Sequence, residues 1–176
     1  MEAVLPSRLS PEVLRSFREI AGGKDVLSEE VDLQLYSYES AIDRALPSAV
    51  IFPKTARQIS EIIKICRKNS IPFVARGAGT NLCGGAVPLK GGVVLALAPL
   101  NHILEIDTGE GLAVVEPGVV NLRLQQELEK LDRFYAPDPA SFRVCTLGGN
   151  VAENAGGPRC LKYGTTTNHE IGRAHV

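Results

Sequence analysis

Arg76-Gly-Ala-Gly-Thr-Asn-Leu-Cys-Gly-Gly85 follows directly on the apolar run Ile71-Pro-Phe-Val-Ala75, and the reading of this junction decides the fold. Four glycines in ten residues leave the backbone free to take positive φ and to approach a ligand closely. Successive exposed N–H groups in such a loop form a concave nest for phosphate oxygens. Arg76 at the entrance adds charge, and Thr80 and Asn81 add side-chain hydrogen bonds. A lone glycine-rich loop is equally well read as a surface turn. A second cluster tips the balance toward a ligand: Leu147-Gly-Gly-Asn-Val-Ala-Glu-Asn-Ala-Gly-Gly157, about sixty residues further on.

Working outward, Ala49-Val-Ile-Phe52 is a short apolar strand closed by Pro53. Thr55 caps an amphipathic helix that places Ile59, Ile62, Ile63 and Cys66 on one face, with Arg57, Glu61, Lys64 and Lys68 on others. Asn69-Ser70 ends it, and Ile71–Ala75 is the next strand. Strand, helix and strand in so short a stretch form a parallel βαβ unit. The glycine loop then lies at the carboxyl end of a parallel strand, where open α/β sheets bind ligands.

Downstream, Gly92–Leu97, Ile103–Ile106 and Leu112–Glu116 are strands, the last two an antiparallel hairpin around Asp107-Thr-Gly-Glu-Gly111. Pro117-Gly118 breaks the pattern. Asn121 is placed to cap a helix through Asp132 with Leu122, Leu124, Leu128 and Leu131 as its apolar face. Ala136-Pro-Asp-Pro-Ala-Ser141 is a proline-pinned loop. Thr146 to Gly164 is poor in large apolar residues, which suits a segment lying against something flat and polar better than a core element. Upstream, Ser10-Pro11-Glu12 starts a helix with Val13, Phe17 and Ile20 that Gly22-Gly23 stops. A weaker helical pattern runs from Ser28 to Tyr38. This opening segment carries no evident chemistry and is expected to pack on the domain downstream of it.

The formal charge of −1 argues against nucleic acid, whose binders carry a basic excess. No run of eighteen apolar residues exists to span a membrane. Met1 to Arg15 lacks the layout of a signal peptide, so cytoplasm is the expected location. Cys66, Cys83, Cys145 and Cys160 show no metal-binding spacing and read as buried or partly buried thiols. A Walker loop is excluded because no lysine follows the glycines before Lys90, and a Rossmann fingerprint because Leu82 stands where its third glycine belongs. His102, His169 and His175 sit in a turn and near the terminus, and Asp138 suits an Asx turn better than catalysis. No catalytic residue and no metal site is expected.

Taken in order, Arg76–Gly85, Val115-Glu-Pro-Gly118, Pro137-Asp-Pro-Ala-Ser141 and Thr146–Gly157 resemble the FAD-binding domain of the p-cresol methylhydroxylase and vanillyl-alcohol oxidase superfamily. Within it, the match is closest to the FAD-linked glycolate oxidase subunit and the D-lactate and D-2-hydroxyglutarate dehydrogenases. The resemblance covers roughly residues 25 to 172. It implies an α+β fold with a small parallel βαβ lobe and a second mixed or antiparallel lobe. The expected organisation is an N-terminal helical segment (1–45), a C-terminally incomplete FAD-binding domain (46–172) and a truncated or non-native tail (173–176).

By the same resemblance, amides of Arg76, Gly77, Ala78, Gly79, Thr80, Asn81, Gly84 and Gly85 would wrap the FAD pyrophosphate. Pro117 and Gly118 would line the adenine side. Pro137, Asp138, Ser141, Thr146, Gly148, Gly149, Asn150, Ala152, Asn154, Ala155, Gly156 and Gly157 would run beside the pyrophosphate, ribityl chain and isoalloxazine. Tyr163 and Gly164 would close the site. Thr80 stands where covalent members carry a flavin-bonded histidine, which implies non-covalent FAD. The implied activity is oxidation of a small 2-hydroxy acid to the 2-keto acid, with an electron acceptor and further oxidase-complex subunits as partners. Relatives supply their substrate groups from later segments, so no turnover is expected from this chain alone. The alternatives are a non-catalytic FAD-domain subunit of a glycolate oxidase complex, or a reductase sharing the fold.

Overall fold

The computed structural model describes residues 9–40 and 42–173. The expected tail residues Ala174 to Val176 lie outside the described residues. The chain divides into two compact units, one running through Pro99 and the other starting at Leu100.

The first unit begins with α1 (Pro11–Ala21). The Ser10 side chain accepts from the Val13 N–H, and Pro11 takes the first turn, where a missing N–H costs nothing. Gly22, at φ +101, ends the helix. Then come β1 (Val26–Leu27), α2 (Glu30–Gln34), β2 (Ala49–Ile51), α3 (Ala56–Lys68), β3 (Phe73–Arg76) and β4 (Val93–Ala96). The helical pattern from Ser28 to Tyr38 thus shrinks to one turn, in which Leu33 is buried while Val31 and Leu35 stay exposed.

The sheet order is β1-β2-β4-β3. β1 runs antiparallel to β2, and both β2 and β3 run parallel to β4. The two strands of the βαβ unit are therefore parallel but not adjacent, because β4 slots between them. Burial fits the order: Val93, Val94, Leu95 and Ala96 are all buried and have an apolar neighbour to offer on either face. Phe73–Arg76 is half exposed and takes the edge.

On one face, Val13, Phe17 and Ala21 of α1 and Ile62 and Cys66 of α3 pack on Ala49, Ile51, Val93 and Leu95. On the other, Leu33 and Tyr36 cover Val50, Val94 and Ala96. The opening segment thus covers both faces of the sheet.

The second unit holds the antiparallel pair β5 (Ile103–Asp107) and β6 (Leu112–Val115), turned by Asp107, whose carboxylate accepts from the Gly109 and Glu110 N–H groups. α4 (Asn121–Glu129), α5 (Leu147–Ala152) and α6 (Cys160–Tyr163) come next. Val119, Leu124, Leu128 and Leu147 form the core.

Two expectations change here. Asn121 is inside α4 rather than its cap: Val120 precedes the helix, and the Asn121 amide instead donates to the Pro137 carbonyl and accepts from Gln125. The Gly-rich segment after Thr146 opens with a helix, because the Thr146 hydroxyl caps it through the Gly149 N–H and Leu147 gains burial in the core.

Cys66 and Cys145 are buried and Cys160 is partly so, but Cys83 is exposed, contrary to expectation, because it sits on the outer turn of the glycine loop. Burial pushes the Cys66 thiol up to about 11 and raises Cys145 as well. Because the thiolate is the reacting species, a thiol reagent at pH 8 is expected to label Cys83 first. Cys66 and Cys145 should label only after denaturation, as peptide mapping by mass spectrometry will show.

Candidate functional site

The glycine loop leaves the carboxyl end of β3 and is held from beneath by the segment Tyr36 to Glu39. Arg76, the last residue of β3, is 7% exposed. Its Nη1 donates to the Tyr38 carbonyl at 2.7 Å, and its guanidinium lies over the Tyr36 ring, 5.6 Å from the centroid. Burial pulls the Arg76 guanidinium below its ordinary value, while Tyr36, Glu39 and Tyr38 pull it back. Gly79 (φ +70) rests on the guanidinium so closely that a Cβ there would lie 2.3 Å from Arg76 Nη2.

Glu39, 5% exposed, is a residue that the sequence reading does not single out. Its carboxylate accepts from the Asn81 side-chain amide at 2.6 Å, the Gly84 N–H at 2.5 Å and the Ala86 N–H at 3.2 Å. Its only mark in the sequence is an acidic residue beside two tyrosines, which by itself reads as a solvated turn.

Among the described residues, the N–H groups of Gly77, Ala78, Gly79 and Thr80 make no hydrogen bond. Gly77, Ala78 and Gly79 border a cavity of about 470 Å³ that Tyr36, Tyr38 and Arg76 also line. Consecutive unpaired amides beside a buried cation are an arrangement that could hold an anion. Gly84 takes φ +81 at the back of the loop, and Gly85 is exposed.

In the second unit the predicted segments meet one another. The Gly148 N–H donates to the Pro117 carbonyl at 2.8 Å, and a Cβ on Gly148 would lie 2.6 Å from Pro117 Cβ. Gly118 donates to the Leu100 carbonyl. A Cβ on Gly157 would lie 2.0 Å from the Asp138 carbonyl oxygen. The Asp138 side chain accepts from the Arg159 N–H at 3.1 Å and pairs with its guanidinium, a long-range link in place of the expected Asx turn. Gly156 faces Cys160 Sγ.

Thr146 and Gly149 form the cap of α5, and the Ser141 carbonyl accepts from Val144 and Cys145. Ala152 is exposed, and the Ala155 carbonyl accepts twice from Thr166. Asn154 holds φ +49 and accepts from the Thr167 N–H and hydroxyl. The Tyr163 carbonyl meets His169 Nε2, and Gly164 (φ +83) abuts Asn168. Several of these small residues therefore make room for the chain itself. Asn150 differs: it is 2% exposed, and among the described residues its Nδ2 has no partner. A buried donor short of a full hydrogen bond is costly; the Asn150 side chain lies by the Cys145 thiol and partly offsets the rise that burial gives it.

His102 pairs with Glu116 at 2.7 Å in the open, and His175 lies outside the described residues. Among the described residues, no group of three His, Cys, Asp or Glu side chains is placed to hold a metal. No described helix is long and apolar enough to cross a membrane.

The model of a family described as an FAD binding domain matches residues 47–172. This chain belongs to that family, and its cofactor is FAD. It is 40% identical over 165 residues to the glycolate oxidase subunit GlcD of Bacillus subtilis, covering 93% of this chain and 35% of that protein. It is 35% identical over 164 residues to a D-lactate dehydrogenase of Anaerostipes hadrus, covering 93% and 34%. A solved structure of p-cresol methylhydroxylase with substrate bound superposes with a TM-score of 0.73 at 28% identity, covering 87% of this chain and 32% of that one. The chain thus spans about a third of the length of the curated relatives it matches.

Replacing Gly157 by Ala drives a β-carbon into the Asp138 backbone. We expect a loss of about 1–3 kcal/mol in urea unfolding, while Gly172→Ala, with nothing within 4 Å, stays within about 0.5 kcal/mol of the parent.

Proposed function

We propose that this chain is the FAD-binding part of a flavin-dependent oxidoreductase that oxidises a 2-hydroxy acid of the glycolate or D-lactate type to the 2-keto acid. The observation that carries the reading is the row of unpaired amides from Gly77 to Thr80 at the carboxyl end of a parallel strand. Two phosphate groups bear more acceptor oxygens than this chain supplies to those amides. Arg76, fixed beneath the loop, adds positive potential without leaving its own partners. Glycine at 77 and 79 keeps Cβ atoms out of the path of the incoming oxygens. The similarity to a glycolate oxidase subunit and a D-lactate dehydrogenase supports the substrate class.

When bound, FAD supplies the acceptor for a hydride leaving the α-carbon of the acid. The chain's own part is to bind and orient. Its backbone takes the diphosphate beside the cavity that Tyr36 and Tyr38 line. Thr80 offers no imidazole for a flavin bond, so attachment is non-covalent.

Purified chain loaded with FAD is expected to show a bound-flavin absorbance spectrum and to release all its colour to the supernatant on acid precipitation. A yellow pellet would contradict non-covalent binding, and a protein that takes up no flavin would contradict the reading itself. The substrate class is read by anaerobic addition of glycolate, D-lactate or D-2-hydroxyglutarate to flavin-loaded protein carrying this chain. Bleaching of the visible flavin band by one of these supports it, and bleaching by unrelated donors alone counts against it.

A further inference from the structure

We propose that Glu39 is the positioning residue of the glycine loop: its buried carboxylate gathers Asn81, Gly84 and Ala86 and thereby leaves the amides of Gly77 to Thr80 unpaired, next to the cavity that Gly77, Ala78 and Gly79 border. The inference rests on the FAD reading for its ligand, but its structural half is independent of it.

The frame behind Glu39 is fixed. The Tyr36 ring meets Phe52 edge-on at 5.8 Å and packs in the core over Val50 and Val94. Tyr38 bridges to Arg44 in antiparallel fashion, and the Ala45 N–H donates to the Ser37 carbonyl at 2.8 Å. From this frame two groups reach the loop at its two ends. The Tyr38 carbonyl takes the Arg76 guanidinium at the start, and the Glu39 carboxylate takes three donors at the far side.

A ten-residue loop with four glycines has many conformations of similar energy, and each residue ordered costs about 1–2 kcal/mol of entropy. Three hydrogen bonds to one charged acceptor, each stronger than its neutral counterpart, select one of them. Donors on the back half are thereby consumed, and those on the front half are left for a ligand. Glu39 also borders the cavity beside Tyr38 and Arg76, but its carboxylate oxygens are engaged by these three donors.

Charge and geometry make opposite demands, which allows a clean test. A carboxylate near a phosphate site repels the ligand, so if charge alone mattered, Glu39→Gln would tighten binding. Gln keeps the shape but presents an NH2 group to N–H donors and has one carbonyl oxygen left to accept. If Glu39 acts by positioning, binding weakens.

The test measures FAD affinity by flavin fluorescence titration for the parent, Glu39→Gln and Glu39→Asp, each with native far-UV circular dichroism. We expect the dissociation constant to rise roughly tenfold or more in Glu39→Gln, the scale of losing hydrogen bonds to a charged group. Glu39→Asp should recover part of the loss. An unchanged or tighter constant in Glu39→Gln overturns the proposal.

Amide hydrogen exchange without cofactor separates this from the FAD reading. Glu39→Gln should speed exchange at Gly84 and Ala86 roughly tenfold or more while α3 and β4 keep parental rates. Parental rates at Gly84 and Ala86 overturn the proposal even if FAD binds. A parent that binds no FAD overturns the cofactor reading and leaves hydrogen exchange to decide the role of Glu39.

Discussion

Two opposite charges, the Arg76 guanidinium and the Glu39 carboxylate, are nearly buried beneath one glycine loop, and the site depends on their being satisfied there. Burying charge is costly unless every donor and acceptor finds a partner. Here the guanidinium has a carbonyl and an aromatic face, and the carboxylate has three N–H donors. The loop's conformation is the means by which that cost is met. Removing either partner leaves the other exposed to a poor solvent, so the loop and the Tyr36 to Glu39 segment stand or fall together.

The same logic runs through the second unit with smaller forces. Gly148 and Gly157 are glycine because the Pro117 and Asp138 backbones occupy the space a side chain would need. Asn150 is the exception, its Nδ2 unpaired and enclosed. A run of small residues therefore has two meanings, close packing against the chain and readiness for a ligand, and hydrogen-bond accounting tells them apart.

Much of the fold is readable from the sequence. The Thr55 cap and the spacing of Ile59, Ile62, Ile63 and Cys66 mark α3, and the glycines after Ala75 mark the loop. The features that escape such a reading have non-local causes. The insertion of β4 between β2 and β3 comes from its burial on both faces, which a run of Val and Leu alone does not reveal. The α5 helix forms despite Gly148 and Gly149 because Thr146 caps it and Leu147 is buried. Glu39 is invisible in the sequence because its partners lie more than forty residues away, and the opening segment therefore reads as mere packing. Arg76 is correctly placed beside the loop by sequence, but its partners also come from that segment.

On this reading, main-chain amides from Gly77 to Thr80 receive the diphosphate of FAD. The amide NMR spectrum of the isotopically labelled chain, titrated with FAD, tests it most directly. The resonances of Gly77, Ala78, Gly79 and Thr80 are expected to shift together and to saturate with the flavin fluorescence change. Saturating FAD binding that leaves those four resonances where they were would contradict it.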